Sequence, residues 1–332
     1  MNELCGCRSS DRSAPARTLY IIDAPNMAHR AAAVGVLRPT LGGMVQRFLR
    51  VAEPQYVVAV WDDRDASFRR DLWPAYKADR HHDADVGELM AQAREVMDSY
   101  GLPAIAGRLG VEADDLIATL ATLAPPDVRV VMLSTDKDLL QLVDHRTFLA
   151  SRRGGASTLY RADDVRREYG VEPRQWPAVM ALAGVKNGVP GLPGVGLKGA
   201  CTLLAKYGDL ETLLRCRRAV AKRSHRLALE SHAAEARLYL DLMTLRRDVP
   251  IDWRPDLWRL TSPDPCGCRS SDPYECWSLK FGGLGSLGQW PSVQEVVDDG
   301  GPCACECHAP YWREVHGGEE IFHANATEEE ES

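Results

Sequence analysis

The chain contains 332 residues, of which 45% are hydrophobic, and it carries a formal net charge of −7 at pH 7. No segment approaches the roughly 20 consecutive apolar residues of a membrane span, and the first residues lack the charged start and apolar centre of a signal peptide. The composition therefore excludes a membrane partner. We expect a cytoplasmic protein with a sizeable buried core.

Three short apolar, β-branched segments predict buried parallel strands of an α/β sheet; they cover residues 19–22, 56–60 and 128–133. Helical patterns separate them, and residues 81–100 carry apolar side chains at the spacing of an amphipathic helix. A Gly-Gly pair at 154–155 predicts a hairpin turn that closes the sheet. Because the carboxyl ends of parallel strands meet at one edge, side chains that follow these strands are expected to share a crevice.

Acidic side chains gather at these strand ends. Asp23 and Asp62 follow the first two strands, and Asp136 and Asp138 lie just beyond the third. A further cluster, residues 112–115, opens a predicted helix, whose dipole tolerates negative charge in the first turn. So many carboxylates in one crevice would repel one another unless divalent cations neutralised them. The alternative is that each Asp merely caps a helix or ends a strand, which is common for one cluster but a poor explanation for four.

A segment that mixes aromatic and basic side chains follows the second strand. Residues 68–80 read Phe-Arg-Arg-Asp-Leu-Trp-Pro-Ala-Tyr-Lys-Ala-Asp-Arg. Cations bind a phosphate backbone and aromatic rings stack on bases, so this composition favours a nucleic-acid contact over a solvated basic face. The charge distribution agrees: residues 18–250 carry 32 Lys and Arg against 29 Asp and Glu, whereas residues 251–332 carry 5 against 16. The acidic end of the chain is expected to be solvated and disordered.

A loop rich in glycine and proline lies in the second half of the chain. Residues 188–196 read Gly-Val-Pro-Gly-Leu-Pro-Gly-Val-Gly, which forbids a continuous helix and predicts a tight turn. The loop would place backbone N–H groups at the start of a helix that begins near Lys198, and such a helix start binds anions. Contacts of this kind recognise the shape of a nucleic-acid backbone and carry no base sequence information.

Together, these motifs resemble those of the bacterial and phage 5′-nuclease family, the flap endonuclease-like 5′-3′ exonucleases that occur alone or as the N-terminal domain of DNA polymerase I. The resemblance rests on Asp62 and on residues 68–80, 112–115 and 188–200, and it extends over residues 18–248. It implies an α/β fold: a PIN-like domain with a parallel sheet, followed by a helical helix-hairpin-helix subdomain. A PIN-type ribonuclease would share the acidic crevice but would not explain the hairpin. The predicted organisation is a disordered leader (1–17), a PIN-like 5′-nuclease domain (18–165), a helix-hairpin-helix subdomain (166–250) and a Cys-rich, acidic appendage (251–332).

The resemblance implies a role for each residue that matches the family's motifs. The first metal would be held by Asp23, Asp62, Glu112 and Asp114. Between the two metal sites, or toward the second, would lie Asp115, Asp136 and Asp138. The catalytic residues near the scissile phosphate would be Arg30 and Lys77. The contacts with DNA would be Arg69, Tyr76 and Arg80, with Gly191, Gly194, Gly196 and Lys198 in the hairpin.

The reaction that the resemblance implies is hydrolysis of phosphodiester bonds in 5′-ended or branched DNA, such as 5′ flaps, nicks and duplexes with 5′ ends. Water activated by Mg²⁺ or Mn²⁺ would attack the phosphorus in line, and Arg30 and Lys77 would stabilise the developing charge. A K⁺ ion would join carbonyls of the hairpin to a duplex phosphate. The protein is expected to act as a monomer in DNA replication or repair.

One segment departs from the family's pattern. Family members with two full metal sites carry Gly-Asp-x-x-Asp-Asn-Ile-Pro-Gly before the hairpin, whereas residues 184–191 read Gly-Val-Lys-Asn-Gly-Val-Pro-Gly. Val185 and Asn187 fall near the two missing acids, and Mg²⁺ prefers carboxylates to an uncharged amide. The second metal site is therefore expected to be weak or absent. Two functions remain open: a nuclease that uses the first site, or a largely non-catalytic, structure-specific DNA-binding protein.

Eight of the ten cysteines lie outside the region of resemblance. The sequence Cys-Gly-Cys-Arg-Ser-Ser-Asp occurs at residues 5–11 and again at 266–272. Disulfides are rare in a reducing cytoplasm, and Zn²⁺ takes four Cys or His ligands, so a structural zinc site is one interpretation and a flexible segment with free thiols is the other. The candidate zinc ligands are Cys266, Cys268, Cys276, Cys303, Cys305, Cys307 and His308.

Overall fold

A computed structural model describes residues 17–260, except for residues 64–66, 78–83, 108–109, 154–155 and 186–187. The predictions that fall outside the described residues are the disordered leader up to residue 16, the Gly-Gly turn at 154–155, Asn187 before the hairpin, the DNA contact of Arg80, and the zinc site with the acidic appendage beyond residue 260. In the part of the chain that the structure describes, no helix is long and apolar enough to cross a bilayer.

The described residues form one six-stranded sheet with the strand order β3-β2-β1-β4-β5-β6. The strands are β1 (Thr18–Asp23), β2 (Tyr56–Trp61), β3 (Ala104–Ala106), β4 (Arg129–Leu133), β5 (Thr147–Arg153) and β6 (Ala156–Tyr160). The first five run parallel, and β6 pairs with β5 in the antiparallel direction. All three predicted strands are confirmed. The three-residue strand β3 was not predicted, because a segment this short carries no clear period.

The chain reverses its direction of travel across the sheet next to β1. Strands β1, β2 and β3 follow one another toward one edge, and the chain then returns to place β4 on the other side of β1. In an open parallel sheet, the crevice outside the carboxyl ends of the strands at such a switch point is where ligands bind. Asp23 ends β1, and the segment that contains Asp136 follows β4, so both acids lie at this point.

The helices cover both faces of the sheet. They are α1 (Ala24–Val34), α2 (Leu37–Ala52), α3 (Phe68–Leu72), α4 (Ala84–Ser99), α5 (Ala113–Leu123), α6 (Ala162–Tyr169), α7 (Trp176–Ala183), α8 (Leu197–Tyr207), α9 (Leu210–Arg215), α10 (Arg223–Ser231) and α11 (Ala233–Met243). Neighbouring residues of a strand point to opposite faces. Ile22 and Val57 therefore pack against α1, α2 and α4, whereas Ile21 and Val58 pack against α5 and the later helices. The predicted amphipathic helix at 81–100 corresponds to α4.

The hairpin loop between α7 and α8 is a compact structure held by its own backbone. The Val185 N–H donates to the Val189 carbonyl at 2.9 Å, and the Leu192 N–H donates to the Leu182 carbonyl at 2.8 Å. Gly191 has a φ of +72°, and a Cβ atom there would lie only 2.4 Å from the Gly184 backbone nitrogen. Glycine is therefore required at position 191 both for its conformation and for the close approach of two backbone segments.

Replacing Gly191 with Ala is expected to lower the free energy of unfolding by roughly 2–5 kcal/mol, because left-handed strain adds to a backbone clash. Gly194 is the matched control: its φ is +73°, but no atom lies within 4 Å of the Cβ position. Gly194→Ala should cost only about 1–2 kcal/mol, the strain alone. Urea denaturation of both variants measures the difference. Equal losses would contradict the close approach of the Gly184 and Gly191 backbones.

Candidate functional site

Asp23 lies at the centre of the crevice, where it both ends β1 and caps α1. Its carboxylate is 5% exposed and accepts a hydrogen bond from the Asn26 backbone N–H at 3.1 Å. The Ser134 hydroxyl, just beyond β4, donates to the other Asp23 oxygen at 2.6 Å. Two adjacent strand ends therefore fix the orientation of this carboxylate. The sequence analysis did not identify Asn26 or Ser134, although a run of polar residues after a buried strand was a usable signal.

Asp136 and Asp138 are held on the same side of the crevice through Ser134. The Asp136 N–H donates to the Ser134 hydroxyl oxygen at 3.0 Å, so this hydroxyl joins Asp136 to Asp23. The Asp136 carboxylate then caps the 3₁₀ turn Lys137–Leu142 by accepting from the Asp138 N–H at 2.8 Å. The short turn places Asp138 back over the crevice, as the strand-end argument predicts.

Asp62 and Asp114 come from β2 and from the start of α5. Asp62 follows β2, and its exposed side chain accepts a hydrogen bond from the Ala113 N–H at 2.6 Å. This bond ties the end of β2 to the first turn of α5, which contains half-buried Asp114 and fully buried Asp115, in the predicted position.

Burial and mutual repulsion together raise the pKa values of Asp23, Asp114 and Asp138. Burial raises the pKa of Asp114 well above its ordinary value, and the charges of Asp136 and Asp23 raise it further. Burial, with repulsion by Asp62 and Asp136, raises the pKa of Asp23 to about 7. Burial and the charge of Asp136 raise the pKa of Asp138 to about 7. The structure therefore brings these five acids within electrostatic reach of one another.

The chemistry of this set fits a hard divalent cation, because Mg²⁺ and Mn²⁺ prefer carboxylate oxygens and positive charge would offset the repulsion. Within residues 17–260 as described, no three Asp, Glu, His or Cys side chains form a ready-made group of ligands around one point.

Glu112 belongs to a separate cluster beside the crevice. Its oxygens accept from the Lys77 ammonium group at 2.9 Å and from the Ser67 hydroxyl at 2.7 Å. An Arg69 nitrogen lies 3.5 Å from the carboxylate. Burial alone would raise the pKa of Glu112, but the charges of Lys77 and Arg69 hold it below its usual value. Lys77 already neutralises this carboxylate. The assignment of Glu112 as a metal ligand stays a prediction.

Lys77 occupies a strained position between the two clusters. Its φ is +50°, which is unfavourable for a residue with a side chain and persists only where the surroundings over-determine it. Besides forming the ion pair with Glu112, its positive charge partly offsets the rise in the pKa values of Asp114 and Asp138. Arg30 is half-buried and lies two turns along α1 from Asp23, on the same face of the helix.

Three predicted site residues prove to be buried structural groups. Arg69 is 1% exposed, and its guanidinium binds both oxygens of fully buried Asp115 at 2.7 and 2.8 Å. In this structure the two groups neutralise each other, and the DNA contact of Arg69 and the metal ligation by Asp115 stay predictions. Tyr76 is 3% exposed and packs against Val189 and Leu242, so it does not provide a stacking surface for DNA. A basic and aromatic segment has the same composition whether its side chains bind a partner or each other.

The hairpin presents a helix start to solvent. Gly194, Gly196 and Lys198 are exposed, and α8 begins at Leu197 directly after Gly196. The first N–H groups of a helix have no partner within it, so this end can bind an anion, as the sequence predicts. His225, which the sequence analysis missed, is buried behind the loop and hydrogen-bonded to the Gly194 backbone. Burial and the charge of Lys222 lower its pKa.

A parallel sheet with carboxylates at its switch point, followed by helices with a glycine-rich hairpin, defines a PIN-like protein class. Two family models match the chain: the N-terminal resolvase-like domain of 5′-3′ exonucleases over residues 18–170 and their C-terminal SAM fold over residues 171–266. The chain belongs to the 5′-3′ exonuclease family, which confirms the resemblance and the fold class predicted from its sequence.

The chain is similar to curated proteins of two kinds. It is 35% identical over 261 residues to the flap endonuclease Xni of Aeromonas hydrophila, a match that covers 72% of this chain and 94% of the relative. It is 34% identical over 335 residues to DNA polymerase I of Mycobacterium tuberculosis, a match that covers 94% of this chain. The chain spans only 36% of the length of that polymerase.

Solved structures of the T5 5′-exonuclease share the fold. The enzyme with bound zinc ions aligns with a TM-score of 0.58 at 20% identity, covering 68% of this chain and 89% of the other. The bacteriophage T5 flap endonuclease in a pseudo-enzyme–product complex with DNA and metal ions aligns with a TM-score of 0.58 at 19% identity. At these identities the likeness concerns the fold.

The raised pKa values predict how stability depends on pH. Asp23 and Asp138 have pKa values of about 7 in the folded state, against about 3.9 when unfolded. Their stabilising contribution is thus complete below pH 4 and is lost as the pH rises through 7. Asp114→Asn removes one repelling charge, so the metal-free variant should gain a few degrees in Tm over the wild type at pH 8 but little at pH 5.

Mg²⁺ should raise the Tm of the wild type more at pH 8 than at pH 5, because protons compete with the metal for the same oxygens. In Asp114→Asn this gain should shrink. Calorimetric melting with EDTA or MgCl₂ measures both effects. A Tm difference between the two proteins that does not grow with pH would contradict the proximity of these acids.

Proposed function

We propose that this chain is a metal-dependent 5′-3′ exonuclease or flap endonuclease that hydrolyses phosphodiester bonds in 5′-ended or branched DNA. The observation that carries the proposal is the convergence of five mutually repelling acids at the switch point of the sheet, beside a strained lysine. Membership of the 5′-3′ exonuclease family and the similarity to a protein named as a flap endonuclease support the same activity.

Each group near the crevice has a part in this proposal. Asp23, Asp62, Asp114, Asp136 and Asp138 would hold Mg²⁺ or Mn²⁺, which would supply an activated water and polarise the phosphate. Lys77 and Arg30 would stabilise the negative charge that develops on the phosphate oxygens. Ser134 and Asn26 would keep the Asp23 carboxylate in place through the hydrogen bonds described above, as the outer partners of metal ligands commonly do.

The hairpin would bind the duplex outside the crevice. The exposed start of α8 offers backbone N–H groups to a phosphate, and Lys198 adds a charge next to them. A K⁺ ion at the loop carbonyls remains part of the proposal. We further propose that the protein acts as a monomer in the cytoplasm on flaps, nicks and 5′ ends, with the domain boundaries at 165 and 250 that the sequence suggests.

The second metal site is proposed to be weak. Val185 occupies the position nearest to the first missing acid, and its backbone is bonded into the hairpin loop. With no carboxylate there, Asp138 and Asp136 would have to hold a second ion alone. This weakness supports the alternative function, a structure-specific DNA-binding protein with little cleavage. We favour the nuclease because Asp136 and Asp138 are retained.

One pair of variants separates chemistry from DNA binding. Asp114→Asn should lower kcat on a 5′-flap substrate by at least roughly 100-fold, since it removes a metal ligand from the first site. The Kd for the same DNA in Ca²⁺ should stay near the wild-type value. Lys198→Glu should show the reverse: a weaker Kd, a smaller salt slope by about one charge, and a nearly unchanged kcat at saturating DNA.

Gel-based cleavage and fluorescence anisotropy, each with Mg²⁺, Mn²⁺ or EDTA, measure these effects. Wild-type cleavage by Asp114→Asn would exclude the metal assignment. No cleavage by the wild type with any of these metals, together with tight binding of the flap, would establish the non-catalytic alternative.

Restoring acids before the hairpin tests the second site. Val185→Asp combined with Asn187→Asp should raise the Mn²⁺ stoichiometry from about one to about two per chain and increase kcat, since carboxylates bind this ion far better than Val or Asn. The isosteric control is Val185→Asn with the native Asn187, which adds no charge. Two Mn²⁺ ions already bound by the wild type in calorimetry would show that the site needs no restoration.

A further inference from the structure

The buried polar side chains of the described residues fall largely into two groups. One group lies in or beside the crevice: Asp23, Ser67, Glu112 and Ser134. The other group bonds to the backbone of residues 242–249, which comprise the end of α11 and the segment after it and are called the strap here; its members are Arg69, Asp115, Thr119 and Gln141. Buried polar groups need hydrogen-bond partners, and here the strap supplies them. The strap is therefore a specific partner of the α/β domain.

The strap is fastened at three separate points, of which the third is the bond from the Val249 N–H to the Thr119 hydroxyl at 3.3 Å. At the first, the Arg69 Nε donates to the Leu242 carbonyl at 2.8 Å, and the Arg246 N–H donates to an Asp115 oxygen at 2.8 Å. At the second, the Gln141 side chain donates to the Met243 carbonyl at 3.1 Å and accepts from the Leu245 N–H at 3.0 Å.

Of these points, only the first contacts the pair of Glu112 and Lys77; the second reaches the crevice through the Asp138 carbonyl, to which Gln141 also donates at 2.9 Å. Arg69 directs Nε at the strap and both terminal nitrogens at Asp115, and one of these nitrogens also lies 3.5 Å from Glu112. The Glu112 oxygen that faces Arg69 is the one that binds Lys77 at 2.9 Å. A planar guanidinium has a rigid fork of donors, so a shift of the strap would change the direction of all these bonds together.

Apolar packing connects the same places. Tyr76, Val189, Leu242 and Met243 form one small buried cluster. In this cluster Tyr76, the residue before Lys77, packs together with the hairpin loop and the strap. The segment that carries Lys77 is therefore held between the α/β domain and the helical subdomain, which is a physical reason for its strained φ of +50°.

We propose that Arg69 is a positioning residue for the reaction: it makes the arrangement of Glu112 and Lys77 depend on the docking of the helix-hairpin-helix subdomain through the strap. The inference rests on the proposed nuclease function. It predicts that loosening this one contact impairs the chemical step and the metal crevice, whereas loosening the strap elsewhere affects stability alone.

Removing Arg69 by itself would leave Asp115 buried without a partner, and the protein could unfold. The test therefore uses Arg69→Met combined with Asp115→Asn, which removes both charges and nearly keeps the side-chain volumes. In this variant kcat on a 5′-flap should fall roughly 10- to 100-fold, as expected for a misplaced catalytic group, with KM within about twofold. Its affinity for Mn²⁺ alone, measured by calorimetry without DNA, should fall roughly tenfold, the usual effect of losing an outer partner of a metal site.

Thr119→Val is the matched control, because it keeps the side-chain shape, removes the bond from the strap at the Val249 N–H, and contacts neither Glu112, Lys77 nor a crevice acid. It should lower Tm but keep kcat and the Mn²⁺ affinity near wild-type values. A folded double variant with wild-type kcat and Mn²⁺ affinity would overturn the proposal, and so would equal losses in the control. If the wild type cleaves no DNA, the proposed function fails, while the Mn²⁺ affinities of the two variants still decide the role of Arg69.

Discussion

The bidentate pair between Arg69 and Asp115 is the interaction on which the rest of this structure depends. Both groups are almost fully buried, and removing charges from water costs several kcal/mol per ion, so the pair is tolerated only because its geometry satisfies every donor. Burial alone would lower the pKa of Arg69, but Asp115 and Glu112 hold it above its usual value. Around this pair meet α3, the start of α5 and the strap, which are distant in sequence.

The start of α5 separates two electrostatic environments. Successive residues of a helix point about 100° apart, so Asp114 faces the crevice while Asp115 faces Arg69. On the crevice side the acids repel one another and their pKa values rise. On the Arg69 side, Lys77 and Arg69 lower the pKa of Glu112 although it is buried. One side therefore retains an uncompensated negative charge that suits a cation, and the other is internally neutralised and rigid.

The glycines of the hairpin also fall into two groups with different roles. Gly184 and Gly191 allow two backbones to meet, whereas Gly194 and Gly196 have open space at their Cβ positions and lie at the exposed start of α8. Behind them, Val189 and Leu192 are buried and connect the loop to the core. The exposed part of the loop is thus supported by a buried, well-packed part, which preserves its geometry without long side chains.

The sequence by itself determined the elements that depend on local pattern. The strands β1, β2 and β4, the helix start at Asp114 and Asp115, the antiparallel pairing of β5 and β6 and the glycine-rich loop all follow from short-range periodicity and turn chemistry. Carboxylates at strand ends then had to converge, because parallel strands share an edge. Only the tertiary structure decided which polar residues face outward. Arg69, Tyr76 and Asp115 look like surface or metal groups in the sequence, yet their partners lie 173, 113 and 131 residues away, at Leu242, Val189 and Arg246. Local pattern carries no information about contacts at such separations. The burial and pairing of these side chains, which set the role of each charge, are therefore decided only when the chain folds and the strap packs against the α/β domain.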